Sequence, residues 1–288
     1  MTRPVIIVHG GAGRIDPQRA PKRLPGLRRA LEAGWTILTA GGSAVNAVIA
    51  AVQVLEDDPQ FNAGRGSSLT RAGTVEMDAG VMDGSTLTVG AVAAVSRVAN
   101  PILLAREVLV HSEHIFLVGT GAERFAQERG LPLVDPQTLI TEERRQQLAR
   151  RLAAHTTGDT VGAVALDAQG HLAAATSTGG LMAKSPGRVG DSPLVGCGFY
   201  AEDNLGACST TGLGEAIARA LLAYRAVHAL AEMPPDEAAR RALAFMAQHT
   251  GGEAGLILLA PDGRLAAVWN TRDMSYAYRT PDTEVLHP

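Results

Sequence analysis

The sequence predicts a layered α+β domain built on antiparallel strands. Three observations carry that reading. Short, nearly continuous apolar runs recur along the chain, bounded by Gly, Pro and Asp, and such runs read as buried strands. Longer stretches with helical spacing of apolar residues lie between them in both halves. In the second half, neighbouring strands are joined by tight turns, so they pair antiparallel rather than forming a doubly wound parallel sheet.

The elements follow in order. Val5-Ile6-Ile7-Val8 is an apolar strand that runs into the glycine turn His9-Gly10-Gly11-Ala12-Gly13. Helical stretches follow near Leu24–Thr39 and Ser43–Leu55. Ser43 suits the N-cap of the second, because its hydroxyl can accept from an otherwise orphaned helix N–H. Strands are predicted near Val75–Val81 and Leu87–Val95, separated by the turn residues Asp83-Gly84. Pro101 opens a helix at a position that needs no N–H. His114–Val118 reads as a short strand and Gly121–Glu128 as a helix. Composition breaks from Pro132 to Gly158: Glu142-Glu143-Arg144-Arg145-Gln146-Gln147 suits a solvated helix, and His155-Thr156-Thr157-Gly158 a linker. Val161–Asp167 and His171–Thr178 form a hairpin across Ala168-Gln169-Gly170. One long helix is predicted at Leu213–Leu230 and another from Pro234-Pro235 to about Gln248. A last hairpin joins Leu256–Leu259 to Leu265–Trp269 through Pro261-Asp262-Gly263.

Composition narrows the function. Hydrophobic residues make up 46% of the 288, enough for a large core, while aromatics at 4% point to close packing by small side chains. A net charge of −3 gives no electrostatic reason to expect nucleic acid. Cys197 and Cys208 make no disulfide framework, and no Cys/His spacing reads as a zinc site. No apolar run approaches the roughly 20 residues of a membrane span. Met1-Thr2-Arg3-Pro4 has no signal-peptide form, so a cytoplasmic protein is expected.

The chemistry concentrates at Gly158-Asp159-Thr160-Val161-Gly162. Thr160 stands where a polar segment gives way to a buried strand. A threonine there is commonly structural. It becomes a nucleophile with its own base only if the Asp159–Thr160 bond is cut, because an α-amine titrates near pH 8 and an amide does not. The paired strand ends in Thr178-Gly179-Gly180, close to Thr160 if the hairpin is antiparallel. Gly187-Arg188-Val189-Gly190-Asp191-Ser192 and Thr210-Thr211-Gly212-Leu213-Gly214-Glu215 add two more polar, glycine-rich turns, which together suggest one cleft. Taken alone, Thr178 is an ordinary strand-end threonine, Thr211-Gly212 a turn before a helix, and Arg188 and Asp191 a surface pair.

These motifs resemble the plant-type L-asparaginase/isoaspartyl peptidase family of N-terminal-nucleophile hydrolases. The likeness extends to His9-Gly10-Gly11-Ala12-Gly13, Phe61-Asn62-Ala63-Gly64-Arg65-Gly66, Met77-Asp78-Ala79 and Val81-Met82-Asp83-Gly84, in family order over nearly the whole chain. The resemblance implies a single domain over residues 1–288 with an αββα four-layer sandwich, self-cleaved into 1–159 and 160–288. Thr160 is then the nucleophile, Thr178 its hydrogen-bonding partner, Asn62 part of a supporting loop, and Thr211 with Gly212 the oxyanion hole. Arg188 and Asp191 hold the substrate's α-carboxylate and α-ammonium, and Gly212 and Gly214 let the chain approach it. The implied substrates are β-aspartyl dipeptides and L-asparagine, with no cofactor for the chemistry and a homodimer of cleaved units. A structural sodium ion is implied on the backbone carbonyls of Leu55, Glu56, Asp58, Phe61, Ala63 and Arg65. The glycine turn at His9 lacks the Walker lysine and the dinucleotide spacing, so packing is its expected role.

One departure from the family pattern stands out. Many members place glycine before the nucleophile, whereas this chain has Asp159, as glycosylasparaginases and taspase-like proteases do. Aspartate there can assist self-cleavage as a local base or through strain, and it keeps a glycosylasparaginase-like substrate open. A non-catalytic small-molecule binding protein also explains the glycine turns, though not the threonines beside them.

Overall fold

The computed structural model describes residues 2–15, 20–151 and 159–288. Among them are β1 (Val5–Gly13), α1 (Ala20–Thr39), α2 (Ala44–Asp57), β2 (Met77–Asp83), β3 (Val89–Val95), α3 (Pro101–His111), β4 (Phe116–Val118), α4 (Gly119–Glu128) and α5 (Glu142–Arg151). The second half supplies β5 (Val161–Leu166), β6 (Leu172–Thr178), β7 (Phe199–Glu202), β8 (Gly206–Gly212), α6 (Gly214–Ala220), α7 (Leu222–Ala229) and α8 (Pro235–Thr250). It ends in β9 (Ala254–Leu259), β10 (Leu265–Trp269), β11 (Asp273–Arg279) and β12 (Glu284–His287). The fold is mixed α+β with two sheets. The predicted linker His155–Gly158 lies outside the described residues.

One sheet has eight strands in the order β12-β11-β1-β5-β6-β2-β3-β4, the other four in the order β10-β9-β8-β7. Every strand pair except β3/β4 is antiparallel. The β5/β6 hairpin has its expected register, with Val161 opposite Ser177 and Leu166 opposite Leu172. Burial explains why these strands are apolar on both faces. One cluster sets Ile6, Val8, Ala163 and Ala175 of the large sheet against α1 and α2. A second sets Leu256 and Leu258 of the small sheet against α6–α8. A third joins the two sheets directly, through Ile7, Val164, Leu172 and Ala174 on one side and Phe199, Ala207 and Ile257 on the other.

The structure differs from the sequence reading in four places. The glycine turn at His9 is strand: β1 runs on to Gly13, with a register shift between His9 and Gly11. The long helix predicted at Leu213–Leu230 divides into α6 and α7 at Leu221, which adopts a left-handed conformation at φ 50° and ψ 50°. The strands β7 and β8 form a hairpin where only a polar turn was expected. The strands β11 and β12 add a further hairpin to the large sheet.

Candidate active site

The ends of β1, β5, β6 and β8 meet at Thr160, the residue just before β5. A narrow cleft there is lined by Asp159, Thr160, Thr178, Arg188, Asp191 and Ser192, with Gly180, Gly212 and Gly214. The structure thus gathers in one place every sequence-predicted nucleophile, clamp and oxyanion residue, and Asn62 borders the same site through Asp159 and Gly180.

The Asp159–Thr160 link is held on several sides. The Asp159 carbonyl oxygen accepts from Asn62 Nδ2 and, at 3.0 Å, from Thr178 Oγ1. Asn62 is itself fixed, donating to Gly180 O at 2.8 Å and accepting from Ser68 N at 2.6 Å. Thr178 Oγ1 accepts from Gly180 N at 2.9 Å, which aims the hydroxyl hydrogen at the Asp159 carbonyl. The Thr160 N–H donates to Thr211 Oγ1 at 3.2 Å, and Ala12 N donates to the same oxygen. The Thr160 hydroxyl lies 3.3 Å from Ser192 Oγ. The Asp159 carboxylate pairs with Arg23 at 2.6 Å.

Another wall of the cleft is built around Arg188. Its Nε and Nη2 both donate to Glu215, each at 2.9 Å, in a two-pronged pair at the rim. Gly190 lies against the flat face of the guanidinium, where a Cβ would come within 2.8 Å of Arg188 Nη1, 3.0 Å of Nη2 and 3.1 Å of Cζ, and a Cβ on Gly180 would come within 3.3 Å of Nη1. Those absent side chains leave Nη1 room to meet a second carboxylate. A Cβ on Gly214 would collide with both Arg188 Nη2 and Asp191 Oδ1 at 2.8 Å, so glycine there leaves room for both side chains beside the cleft. Asp191 is buried and accepts from Thr210 Oγ1 at 3.1 Å. Burial pushes its carboxyl up to about 6, against the pull of its own N–H, Thr210 and Arg188. The Glu215 carboxyl is held below the usual range by its bonds to Arg188.

His9 is fully buried beneath Thr160, with Nε2 2.8 Å from Ser209 Oγ. Burial brings its pKa down to about 3, opposed by a bond to the Thr160 backbone, so the ring is neutral and packs the floor of the site. Gly162 makes this contact possible, since a Cβ there would fall 2.5 Å from His9 Nε2 and 2.0 Å from Ser209 Oγ.

A family model described as asparaginase matches residues 2–286. The chain belongs to the asparaginase family. Its relatives include an isoaspartyl peptidase/L-asparaginase of Mus musculus, 48% identical over 95% of this chain and 87% of that one. Another of the same name, from Danio rerio, is 44% identical over 95% of this chain and 91% of its own length. An isoaspartyl peptidase of Escherichia coli K12 is 44% identical over 99% of this chain and 97% of that one. Membership in the asparaginase family brings with it the N-terminal-nucleophile hydrolase class.

The loop after α2 is the place where the family resemblance implies a sodium ion. Here the Glu56 carbonyl accepts from Arg65 N at 2.8 Å and the Asp58 carbonyl from Phe61 N at 3.1 Å. The Phe61 carbonyl accepts from Arg144 Nη2 at 3.0 Å, and Arg144 Nε donates to Gly66 O. A guanidinium already faces this loop, and half of the six carbonyls named have donors from within the chain.

Sequence reasoning passed over four residues that the structure brings to the site or to its supporting loop. Ser192 and Glu215 lay inside motifs already singled out, without a role. Arg23 and Arg144 carried no local signal, since their partners are Asp159, Phe61 and Gly66, far away in the chain.

Proposed function

We propose that this chain is an isoaspartyl peptidase with L-asparaginase activity, whose nucleophile is Thr160 once the Asp159–Thr160 bond has cut itself. The observation that carries the reading is the pair of donors, Asn62 Nδ2 and Thr178 Oγ1, on the carbonyl oxygen of the bond to be cut. An amide carbonyl does not need two converging side-chain donors in order to fold. A carbonyl about to become an oxyanion gains from both.

In self-cleavage the Thr160 Oγ attacks the Asp159 carbonyl carbon. The C–N bond breaks as the nitrogen gains a proton, and an ester to Thr160 Oγ remains. Water opens that ester, leaving a carboxylate on Asp159 and a free amine on Thr160. The amine then serves as base for the same residue's hydroxyl. In the mature reaction Thr160 Oγ attacks the β-carbonyl of the substrate, and the negative charge develops toward Thr211 and Gly212. The leaving amine takes the proton from the Thr160 amine, and water hydrolyses the β-aspartyl ester. Arg188, through its Nη1 edge, takes the α-carboxylate, and Asp191 takes the α-ammonium. The αββα layering fits the three clusters of the core, and a dimer of cleaved units is the assembly that goes with this reading.

Two anchors and one nucleophile fix the length of the substrate. L-Glutamine carries its carbonyl one carbon farther out, about 1.5 Å, and misplacement on that scale can cost ~10²-fold in rate. An α-linked aspartyl peptide has no free α-carboxylate and leaves Arg188 unmatched. We therefore expect turnover of β-Asp-Leu and L-asparagine, with L-glutamine and α-Asp-Leu at least about 10²-fold poorer. A panel of the four at equal concentration tests this. Glutamine turnover equal to that of asparagine, or a preference for α-Asp-Leu, would remove Arg188 and Asp191 from the clamp.

The same clamp sets an acid limb. Asp191 holds the ammonium only when ionised, and burial has raised its pKa to about 6. Its charged fraction therefore falls as pH drops through that value. The Thr160 amine, titrating near pH 8, already lowers kcat/KM about tenfold per unit below that pH, so we expect the slope to steepen to about a hundredfold per unit below pH 6, since this ratio reports groups of the free enzyme. A slope that stays at about tenfold per unit from pH 7 down to 5 would show that Asp191 carries no such duty.

A further inference from the structure

We infer that Arg23 is a positioning residue for self-cleavage: its buried ion pair holds Asp159 so that the scissile carbonyl stays under its two donors, and the Asp159 carboxylate serves as a handle. The inference rests on the self-cleavage proposed above.

Arg23 lies in the first turn of α1, only 4% exposed. Its Nη2 meets Asp159 Oδ2 at 2.6 Å. Its remaining contacts are weak. Nη1 reaches Gly10 O and Ser275 Oγ at 3.4 Å each, and Nε has no partner among the described residues. A buried guanidinium with so little other support depends on one carboxylate, and removing one partner of such a pair leaves an uncompensated charge. The Cβ of Asp159 is seated as firmly. It packs on Gly11, whose φ of +118° is one that side chains rarely adopt, and a Cβ added to Gly11 would fall 2.6 Å from it. Carboxylate, Cβ and carbonyl oxygen of Asp159 thus each have a fixed partner on a different segment, and a residue so fixed has little freedom to swing its carbonyl away.

The same contacts argue against Asp159 as the base for its neighbour. Its carboxylate is directed at Arg23. The Thr160 hydroxyl has Ser192 Oγ, not that carboxylate, as its hydrogen-bonding contact among the described residues.

The two roles make opposite forecasts, readable by full-length chain made in a cell-free system, stopped at intervals and run on a denaturing gel. A handle predicts that Arg23→Met, which keeps the apolar stem, slows cleavage by about 10–10²-fold. It also predicts that the loss vanishes when Asp159→Gly has removed the carboxylate. Asp159→Asn, which still accepts from Arg23, should cleave within about tenfold of wild type. A base predicts that Asp159→Asn loses roughly 10²–10⁴-fold and that freeing the carboxylate by Arg23→Met leaves cleavage as fast or faster. That pattern overturns the inference. So does an Arg23→Met loss that is equal with and without Asp159→Gly, which would mark a merely structural arginine. If Arg23→Met does not fold, the Asp159→Asn rate alone decides between handle and base. A wild-type chain that never cuts would instead sink self-cleavage itself.

Discussion

Thr160→Ala is expected to leave one uncut 30.0 kDa chain and no measurable hydrolysis of β-Asp-Leu or L-asparagine. The loss should be the largest of any single substitution. On the proposed mechanism, alanine removes the hydroxyl that would attack Asp159 and, in the same atom, the nucleophile of the mature reaction. Removing the nucleophile of a covalent hydrolase costs on the order of 10⁶-fold in kcat. The fold should survive, because the hydroxyl's contact is the long 3.3 Å one to Ser192 Oγ, while the 3.2 Å bond to Thr211 comes from the backbone N–H, which alanine keeps. An intact-mass spectrum of the variant beside the wild type, with activity on both substrates, checks it. Cleavage between the same residues in Thr160→Ala would exclude attack by that hydroxyl.

Asn62→Ala is expected to slow self-cleavage by ~10²–10³-fold, the usual loss when one oxyanion donor is removed. The second donor, Thr178 Oγ1, stays in place at 3.0 Å and supports the residual rate. Asn62→Asp should be at least as slow. It keeps the oxygen that accepts from Ser68 N, yet it sets a negative charge where the Nδ2 donors had been, against the carbonyls of Asp159 and Gly180. Comparing the two variants separates loss of a donor from loss of packing. Time courses of precursor disappearance are the measurement. Asn62→Asp cutting at the wild-type rate would mean that the contact to Asp159 plays no part in cleavage.

Much of the fold was legible because apolar runs and turn residues agree locally. The β5/β6 hairpin is the plainest case. Its strands are apolar, and Gly170 at φ +91° closes the turn. The β8 strand hid for the opposite reason. Gly206-Ala207-Cys208-Ser209-Thr210-Thr211-Gly212 is small and polar, and it is buried between α7 and the large sheet, so no alternation marks it. The break at Leu221 has no local signal either, since leucine does not favour the left-handed region that it adopts.

The site divides along the same line. Thr160, Thr178, Thr211 and the Arg188–Asp191 stretch each carry a local mark, a polar residue at the end of an apolar strand or within a glycine-rich turn. Arg23 does not: it sits among other basic residues near the start of α1, and only the fold brings it to Asp159, 136 positions away. The pairing of Arg188 with Glu215 was likewise invisible, because it needs β8 and α6 to deliver Glu215 across the cleft. Local pattern reveals groups that make chemistry at a strand end. The residues that hold those groups in place are supplied by tertiary contact.

The most direct measurement is the mass and N-terminal sequence of the purified wild-type chain after prolonged incubation. Two fragments are expected, one ending at Asp159 and one beginning at Thr160 with a free amine, appearing in step with β-aspartyl hydrolase activity. An uncut chain that is nonetheless fully active, or a cut at any other bond, would contradict the assignment of Thr160 as an N-terminal nucleophile.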